Sequence, residues 1–270
     1  MELISKSDKL KKTIFIDGAP YFKQGLCRIM AGPCAVENRD QILFTAEKLC
    51  KMGIKIFRAG SFKPRTNPYA FQGAGEEGMK WLEEVRDSFG MKIITETSDY
   101  TNFHIIEKTT DIIQIGAKAM YDHSVLKAAG LSSKPVLLKR HFGATVDELF
   151  KMADYVLSEG NHQIMFCERG IRTFETTSRF TLDLCGAEFI KRDSSAPLIL
   201  DPSHAMGYSF GVGDLARACV ACGCEGLLIE VHHNPAEAKC DKDQALDLEQ
   251  FRKLYDDLKR IGQAIDRVVE

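Results

Sequence analysis

Short, nearly continuous apolar runs alternate along the chain with longer stretches whose apolar residues recur every three or four positions. The runs lie at 28–31, 54–58, 92–95, 112–115, 135–139, 163–167, 197–200 and 227–231. A short run that is apolar on both faces predicts a parallel strand covered on both sides. The intervening stretches carry helix signals. In 39–51, Ile42, Leu43, Ala46, Leu49 and Cys50 share one face. In 146–157, Leu149, Phe150, Ala153 and Leu157 repeat that register behind Thr145, with Glu148 three residues on, the spacing of a capping box. The stretch 246–268 predicts one long amphipathic helix.

Eight strand signals, mostly linked by helices, predict a (β/α)8 barrel. A doubly wound sheet is the competing architecture, but no run is followed by a GxGxxG turn and the halves do not repeat. Ahead of the first barrel strand, Asp17-Gly18 separates residues 13–16 from Tyr21-Phe22, which predicts a β-hairpin. This hairpin, in an extension covering residues 1–26, is expected to cap the barrel's N-terminal end. No Ser-, Pro- or Gly-rich linker interrupts the 270 residues, so a single catalytic domain is expected.

Composition narrows the function classes. At 44% hydrophobic and 27% charged residues, the chain is neither disordered nor fibrous. Its net charge of −2 offers no footprint for nucleic acid or an anionic membrane. No apolar run approaches the roughly 18–20 residues of a membrane span, and the polar N-terminus lacks the apolar centre of a secretory signal. Nine cysteines, odd in number and scattered, predict free thiols in a reducing cytoplasm.

In a (β/α)8 barrel the chemistry sits at the C-terminal ends of the strands. Two sets of reactive residues fall there. Cys34, His204 and Glu230 supply a thiolate, an imidazole and a carboxylate, donors suited to a divalent cation such as Mn, Fe, Co or Zn. Asp241, in the loop after the last strand, is a candidate fourth ligand. The second set is Arg58, Lys63, Arg65, Lys139, Arg140 and Arg169. A single Lys or Arg is usually solvated surface. Six cations at one barrel mouth repel one another unless anions bind between them, so this set predicts a ligand with several anionic groups.

Other signals read as structural. Cys219, Cys222 and Cys224 show CxxC and CxC spacing but have no second pair, so they are expected to pack rather than bind zinc. His232 and His233 are neighbours on a strand end, so at most one faces the site. His104, His123, His162 and Trp81 are expected to be packing residues, and Gly73-Ala74-Gly75 is too short for a nucleotide loop.

The motifs AGPCAVE (31–37), FRAGSFKPRTNPYAFQG (57–73), ITETSD (94–99), IQIGAK (113–118), VLLKR (136–140), CERGIRTFE (167–175), LDPSHAMG (200–207) and IEVHHNP (229–235) together resemble the 3-deoxy-D-arabino-heptulosonate 7-phosphate (DAHP) synthases of the type I-beta group. That group is related to the 3-deoxy-octulosonate 8-phosphate synthases. The resemblance implies a metal-dependent (β/α)8 transferase. It would condense phosphoenolpyruvate with erythrose 4-phosphate at the entry to the shikimate route to aromatic amino acids. It implies metal ligands at Cys34, His204, Glu230 and Asp241, and phosphoenolpyruvate contacts at Arg58, Lys63, Lys139 and Arg169. It also implies that Lys63-Pro64-Arg65-Thr66 binds the aldehyde's phosphate, with Lys118 nearby. Cys34, Lys139 and His204 are the residues it implies for catalysis. A cytoplasmic homo-oligomer, tetramer or dimer, is implied as well.

Six positions depart from the family pattern: Lys118-Ala119 for Arg-Asn, His141-Phe142 for Gly-Met, His233 for Pro, and Cys240 for Ser. They are expected to ring the acceptor side of the site. Alternatives remain: a synthase for another aldose phosphate, a Schiff-base mechanism on Lys139, and a sugar-phosphate-binding barrel with little activity. The length leaves no space for a fused regulatory module, so insensitivity to aromatic amino acids is expected.

Overall fold

A computed structural model describes residues 12–63, 65 and 67–270. The predicted hairpin forms from β1 (Ile14–Ile16) and β2 (Ala19–Phe22), paired antiparallel. Asp17 and Gly18 both take positive φ, 50° and 77°, as the tight turn requires. Eight parallel strands follow: β3 (Leu26–Gly32), β4 (Ile56–Arg58), β5 (Lys92–Thr97), β6 (Ile112–Ile115), β7 (Val136–Lys139), β8 (Ile164–Glu168), β9 (Leu198–Leu200) and β10 (Gly226–Glu230). Each pairs with the next, and β10 closes on β3 with Gly226 opposite Arg28 and Glu230 opposite Gly32. The sheet is therefore a closed (β/α)8 barrel.

Helices cover the outside: α1 (Arg39–Lys51), α2 (Gly75–Phe89), α3 (Phe103–Thr109), α4 (His123–Leu131), α5 (Val146–Ser158), α6 (Leu184–Asp193), the short α7 (Pro202–Met206), α8 (Ser209–Cys222) and α9 (Leu248–Ala264). The expected capping box at α5 is present: the Thr145 hydroxyl accepts from the Glu148 N–H, and the Glu148 carboxylate accepts from the Thr145 N–H. The expected helix over 246–268 is shorter. It ends at Ala264, Asp266 turns into the left-handed region at φ 57°, and β11 (Val268–Val269) pairs in parallel with the start of β3. The backbone of Val268 and Val269 gains ladder hydrogen bonds that an extended helix end would have left to water.

Strand alternation splits the core into two shells. Met30, Ile56, Ile94, Ile112, Leu137, Met165, Ile199 and Leu228 point inward and meet Ile14, Ile16 and Phe22 of the hairpin, which plugs the barrel's N-terminal end. Ile29, Phe57, Ile93, Ile113, Leu138, Phe166 and Ile229 point outward against the helices. With one end plugged by apolar side chains, polar groups collect at the other. Gly32 is required there: a Cβ would stand 2.2 Å from the Arg58 carbonyl oxygen, which fixes how closely β3 and β4 approach at the mouth.

Candidate active site

At the C-terminal mouth, Cys34 follows β3, Glu230 ends β10, His204 lies on α7 after β9, and Asp241 lies in the loop between β10 and α9. One donor atom from each falls within 4.8 Å of the other three. His204 Nε2 is 3.3 Å from Glu230 Oε1 and 3.9 Å from Asp241 Oδ2, and Cys34 Sγ is 3.2 Å from Asp241 Oδ2. Asp241 reaches in from a left-handed backbone, φ 50°, a conformation Asp tolerates better than most residues. The sequence-derived ligand set thus converges from four separate segments, and its sulfur, nitrogen and oxygen donors fit a divalent cation.

A layer of partners orients these donors. Glu230 Oε1 accepts from Arg58 Nη1 at 2.9 Å, and Oε2 accepts from Gln244 Nε2 at 2.6 Å. Arg179 donates to Gln244 at 2.7 Å and lies 3.4 Å from Asp241. Asp201, wholly buried, holds Lys139 Nζ at 2.6 Å and lies 2.8 Å from His204 Nδ1, while its other oxygen accepts the His204 backbone N–H at 3.0 Å. Such outer partners fix ligand orientation and basicity.

Electrostatics agree with this layout. Burial opposes ionisation of Asp201, but His204 and Lys139 hold its carboxyl well below the usual carboxylate range. Burial pushes His204 down, outweighing Asp201, so its imidazole is neutral and free to ligate at pH 7. The contact with Cys240, burial and the charge of Glu230 push the Cys34 thiol up. Metal uptake must therefore displace a proton from Cys34. Burial alone would push Lys63 down, but Cys34, Glu96 and Cys240 raise it, so it keeps its charge.

Beside the four donors is a cavity of about 180 Å3 lined by Lys63, Arg65, Glu96, Ala117, Lys118, Lys139, Arg169, Arg179, His204 and Asp241. Five cations of the sequence reading, Lys63, Arg65, Lys118, Lys139 and Arg169, face it together. Arg169 lies over the Phe180 ring at 4.4 Å, and its buried Nη1 has no hydrogen-bond partner. A buried guanidinium with an orphaned donor is costly unless an anion completes it. A second cavity, about 480 Å3, adjoins through Arg179 and Asp241.

The structure corrects several expectations. Arg140 does not line the cavity; it is buried between Glu168 at 2.9 Å and Asp183 at 2.8 Å. Arg58, expected at phosphoenolpyruvate, donates through Nη1 to Glu230 and to the Pro33 carbonyl. Neither His141 nor Phe142 is among the residues lining the 180 Å3 cavity. Phe142 stacks on Phe180 at 5.1 Å and so buttresses Arg169 from behind. Pro64 and Thr66, expected at the aldehyde's phosphate, lie outside the described residues. His232 is buried 3.6 Å from Glu37, and His233 meets the Phe44 ring edge-on, so neither lines the cavity. Cys219 and Cys224 are buried packing residues, with Cys224 Sγ 3.8 Å from Cys27 Sγ. The sequence reading missed Glu96, Arg179, Asp201 and Gln244 as working residues. Glu96 and Asp201 stand inside motifs quoted above. Arg179 and Gln244 lie in loops without periodicity.

A family model, the DAHP synthetase I family, matches residues 23–267. The chain belongs to this family. Among the family's relatives, it is 40% identical over 264 residues to phospho-2-dehydro-3-deoxyheptonate aldolase of Thermotoga maritima, covering 98% of this chain and 78% of that protein. It is 31% identical to 2-dehydro-3-deoxyphosphooctonate aldolase of Acidithiobacillus ferrooxidans, with 90% of each covered. The crystal structure of the Thermotoga DAHP synthase superposes with a TM-score of 0.95 at 39% identity, covering 99% of this chain and 78% of that one. A truncated form of a Thermotoga maritima DAHP synthase superposes at 0.91 with 36% identity and covers 99% of this chain and 98% of that one. Among the described residues, no helix of this DAHP synthetase family member is long and apolar enough to cross a membrane.

Proposed function

We propose that the chain condenses phosphoenolpyruvate with D-erythrose 4-phosphate, giving 3-deoxy-D-arabino-heptulosonate 7-phosphate and phosphate. The observation that carries this reading is the juxtaposition of a cavity lined by six cations, with an orphaned Arg169 donor, and a four-donor metal cluster. The cations suit a compact dianion bearing phosphate and carboxylate. The cluster suits an aldehyde oxygen. A divalent cation held by Cys34, His204, Glu230 and Asp241 would supply Lewis acidity toward that oxygen.

Arg169 and Lys139 hold phosphoenolpyruvate, with Lys63 and Lys118 completing the anion field. Arg65 forks onto the acceptor's terminal phosphate. C3 of the enol then attacks the aldehyde carbon, water adds at C2, and the tetrahedral adduct expels phosphate. Lys139 is in place to protonate the new alkoxide. Its Nζ donates to Asp201 at 2.6 Å, a contact that Schiff-base attack would have to give up.

Arg169→Ala removes a charge-assisted contact worth about 1.5–3 kcal/mol, or roughly ten- to a hundredfold. The expected result is a raised KM for phosphoenolpyruvate, a lowered kcat, or both. A variant impaired only toward the aldehyde would refute this assignment.

The octulosonate relatives raise the question of acceptor length, and an aldehyde panel answers it. The span from Arg65 to the metal donors limits how many carbons fit between phosphate and aldehyde. A five-carbon sugar phosphate must buckle or miss the metal, and a misplacement of about 1 Å can cost a hundredfold. Erythrose 4-phosphate should exceed arabinose 5-phosphate and ribose 5-phosphate in kcat/KM by at least about tenfold. Equal or better use of a five-carbon substrate would overturn the named reaction.

A further inference from the structure

Asp241 reaches the donor cluster from the loop between β10 and α9. The ends of that loop are held at the barrel by the Val231–Leu246 bridge and by the His232 N–H, which donates to the Leu246 carbonyl at 2.9 Å. Within 236–242, among the described residues, the Lys239 N–H is the backbone group that bonds outside the loop, and its acceptor is Glu37 Oε1 at 2.8 Å. Glu37 lies three residues past Cys34 and lines neither cavity of the mouth. We propose that Glu37 is a positioning residue: its carboxylate, held by His232, fixes the loop at Lys239 and so brings Asp241 into the metal-ligand set. This role rests on the ligand assignment above.

Glu37 stands on a fixed base. The Cys34 carbonyl accepts the Gly60 N–H at 3.1 Å, the Val36 N–H donates to the Gly60 carbonyl at 2.9 Å, and the Glu37 N–H donates to Gln41 Oε1 of α1 at 3.1 Å. The Glu37 side chain is 6% exposed. His232 Nδ1 accepts the Asn234 N–H at 3.0 Å, so the ring proton sits on Nε2, which faces Glu37 Oε1 at 3.6 Å. His233, where the family pattern has Pro, stacks on the His232 ring at 4.6 Å and meets Phe44 edge-on at 5.8 Å. This packing keeps His232 turned toward Glu37.

The loop needs such a tether. Asp241 takes a left-handed backbone at φ 50°, and its carboxylate is held by Arg179 at 3.4 Å and by the Cys34 thiol at 3.2 Å. Those contacts restrain the side chain, and the second is given up when Cys34 loses its proton to ligate. The Glu37 contact restrains the backbone two residues before Asp241 and does not change with ligation. Without the carboxylate, the Lys239 N–H and the His232 Nε2–H lose their acceptor, and the segment 236–242 is free to turn toward water.

The test is cobalt(II) titration of the full chain, read in the visible ligand-field bands and the near-ultraviolet thiolate band. Asp241→Ala sets the scale for loss of the ligand itself. Glu37→Ala should weaken cobalt binding about 10–100-fold and shift the visible bands as Asp241→Ala does, while the thiolate band persists. Glu37→Gln keeps an acceptor at the same reach and should recover most of the affinity. Glu37→Ala combined with Asp241→Ala should bind no more weakly than Asp241→Ala alone, because Glu37 acts through Asp241. Lys239→Pro deletes the N–H with Glu37 intact, and Ala238 already has the extended backbone that a following Pro requires, φ −60° and ψ 131°. It should bind cobalt as weakly as Glu37→Ala, and more weakly than Lys239→Ala, which keeps the N–H. Should Glu37→Ala not fold, the two Lys239 variants decide. Unchanged cobalt affinity in Glu37→Ala or Lys239→Pro, a Glu37→Gln as weak as Glu37→Ala, or full additivity in the double variant would overturn the proposal. Unchanged affinity in Asp241→Ala would instead overturn the ligand assignment, and the positioning role with it.

Discussion

Exhaustive dialysis against a strong chelator should abolish phosphate release from phosphoenolpyruvate in the presence of erythrose 4-phosphate, and added Mn or Co should restore it. The reason lies in how the donors are neutralised without a cation. Glu230 is already paired with Arg58 and Gln244, and Asp241 lies beside Arg179. The empty cluster therefore does not collapse the barrel; it only lacks the group that polarises the aldehyde. Activity and fold should separate. Metal at about a hundredfold above its Kd adds roughly 2.7 kcal/mol of stability, and so raises Tm by several degrees, while activity changes from absent to full. Cys34→Ser replaces a thiolate by a poor donor. Loss of an outer partner alone typically costs about 10–100-fold in metal affinity, so loss of this ligand should cost at least as much. Full activity in excess chelator after dialysis would overturn the metal reading.

The barrel was legible because its strands are covered on both faces and its helices are amphipathic. The bounds of α1 fall where the pattern predicts, and the Thr145 box caps α5 as its spacing implies. The end of α9 was not legible, because pairing with β3 is a long-range contact that periodicity near the terminus does not carry. Cys34, His204 and Glu230 followed from one rule, that strand ends share a mouth, and Asp241 joined them as a candidate from the loop after the last strand. Arg140 shows where that rule was applied without its companion. Lys139 and Arg140 are adjacent, so alternation turns one into the barrel and the other outward onto Glu168 and Asp183. The same reasoning had been used for His232 and His233. Arg179 and Gln244 could not be read at all. They reach the site from long loops, and nothing local marks a loop residue as the one that bridges to Glu230 and Asp241.

Asp201→Ala should damage stability and metal binding by separable routes. Asp201 is the shared partner of Lys139 and His204. Its removal leaves the Lys139 ammonium buried and unpaired, a change that typically costs about 3–5 kcal/mol. At about 2–4 °C per kcal/mol, Tm should fall by roughly 10 °C. Its removal also frees the His204 ring, whose Nδ1 and backbone N–H both face Asp201, and this should weaken metal affinity by about 10–100-fold. A second substitution distinguishes the two effects. In Asp201→Ala with Lys139→Met, the orphaned charge is gone, so much of the lost Tm should return. The His204 ring remains unsupported, so metal affinity should stay low. Thermal unfolding and zinc titration of both variants read these outcomes without reference to activity. A single variant with unchanged Tm and unchanged zinc affinity would show that Asp201 supports neither group. Joint recovery of Tm and affinity in the double variant would show that the weakened binding came from the strained fold and not from the loss of orientation at His204.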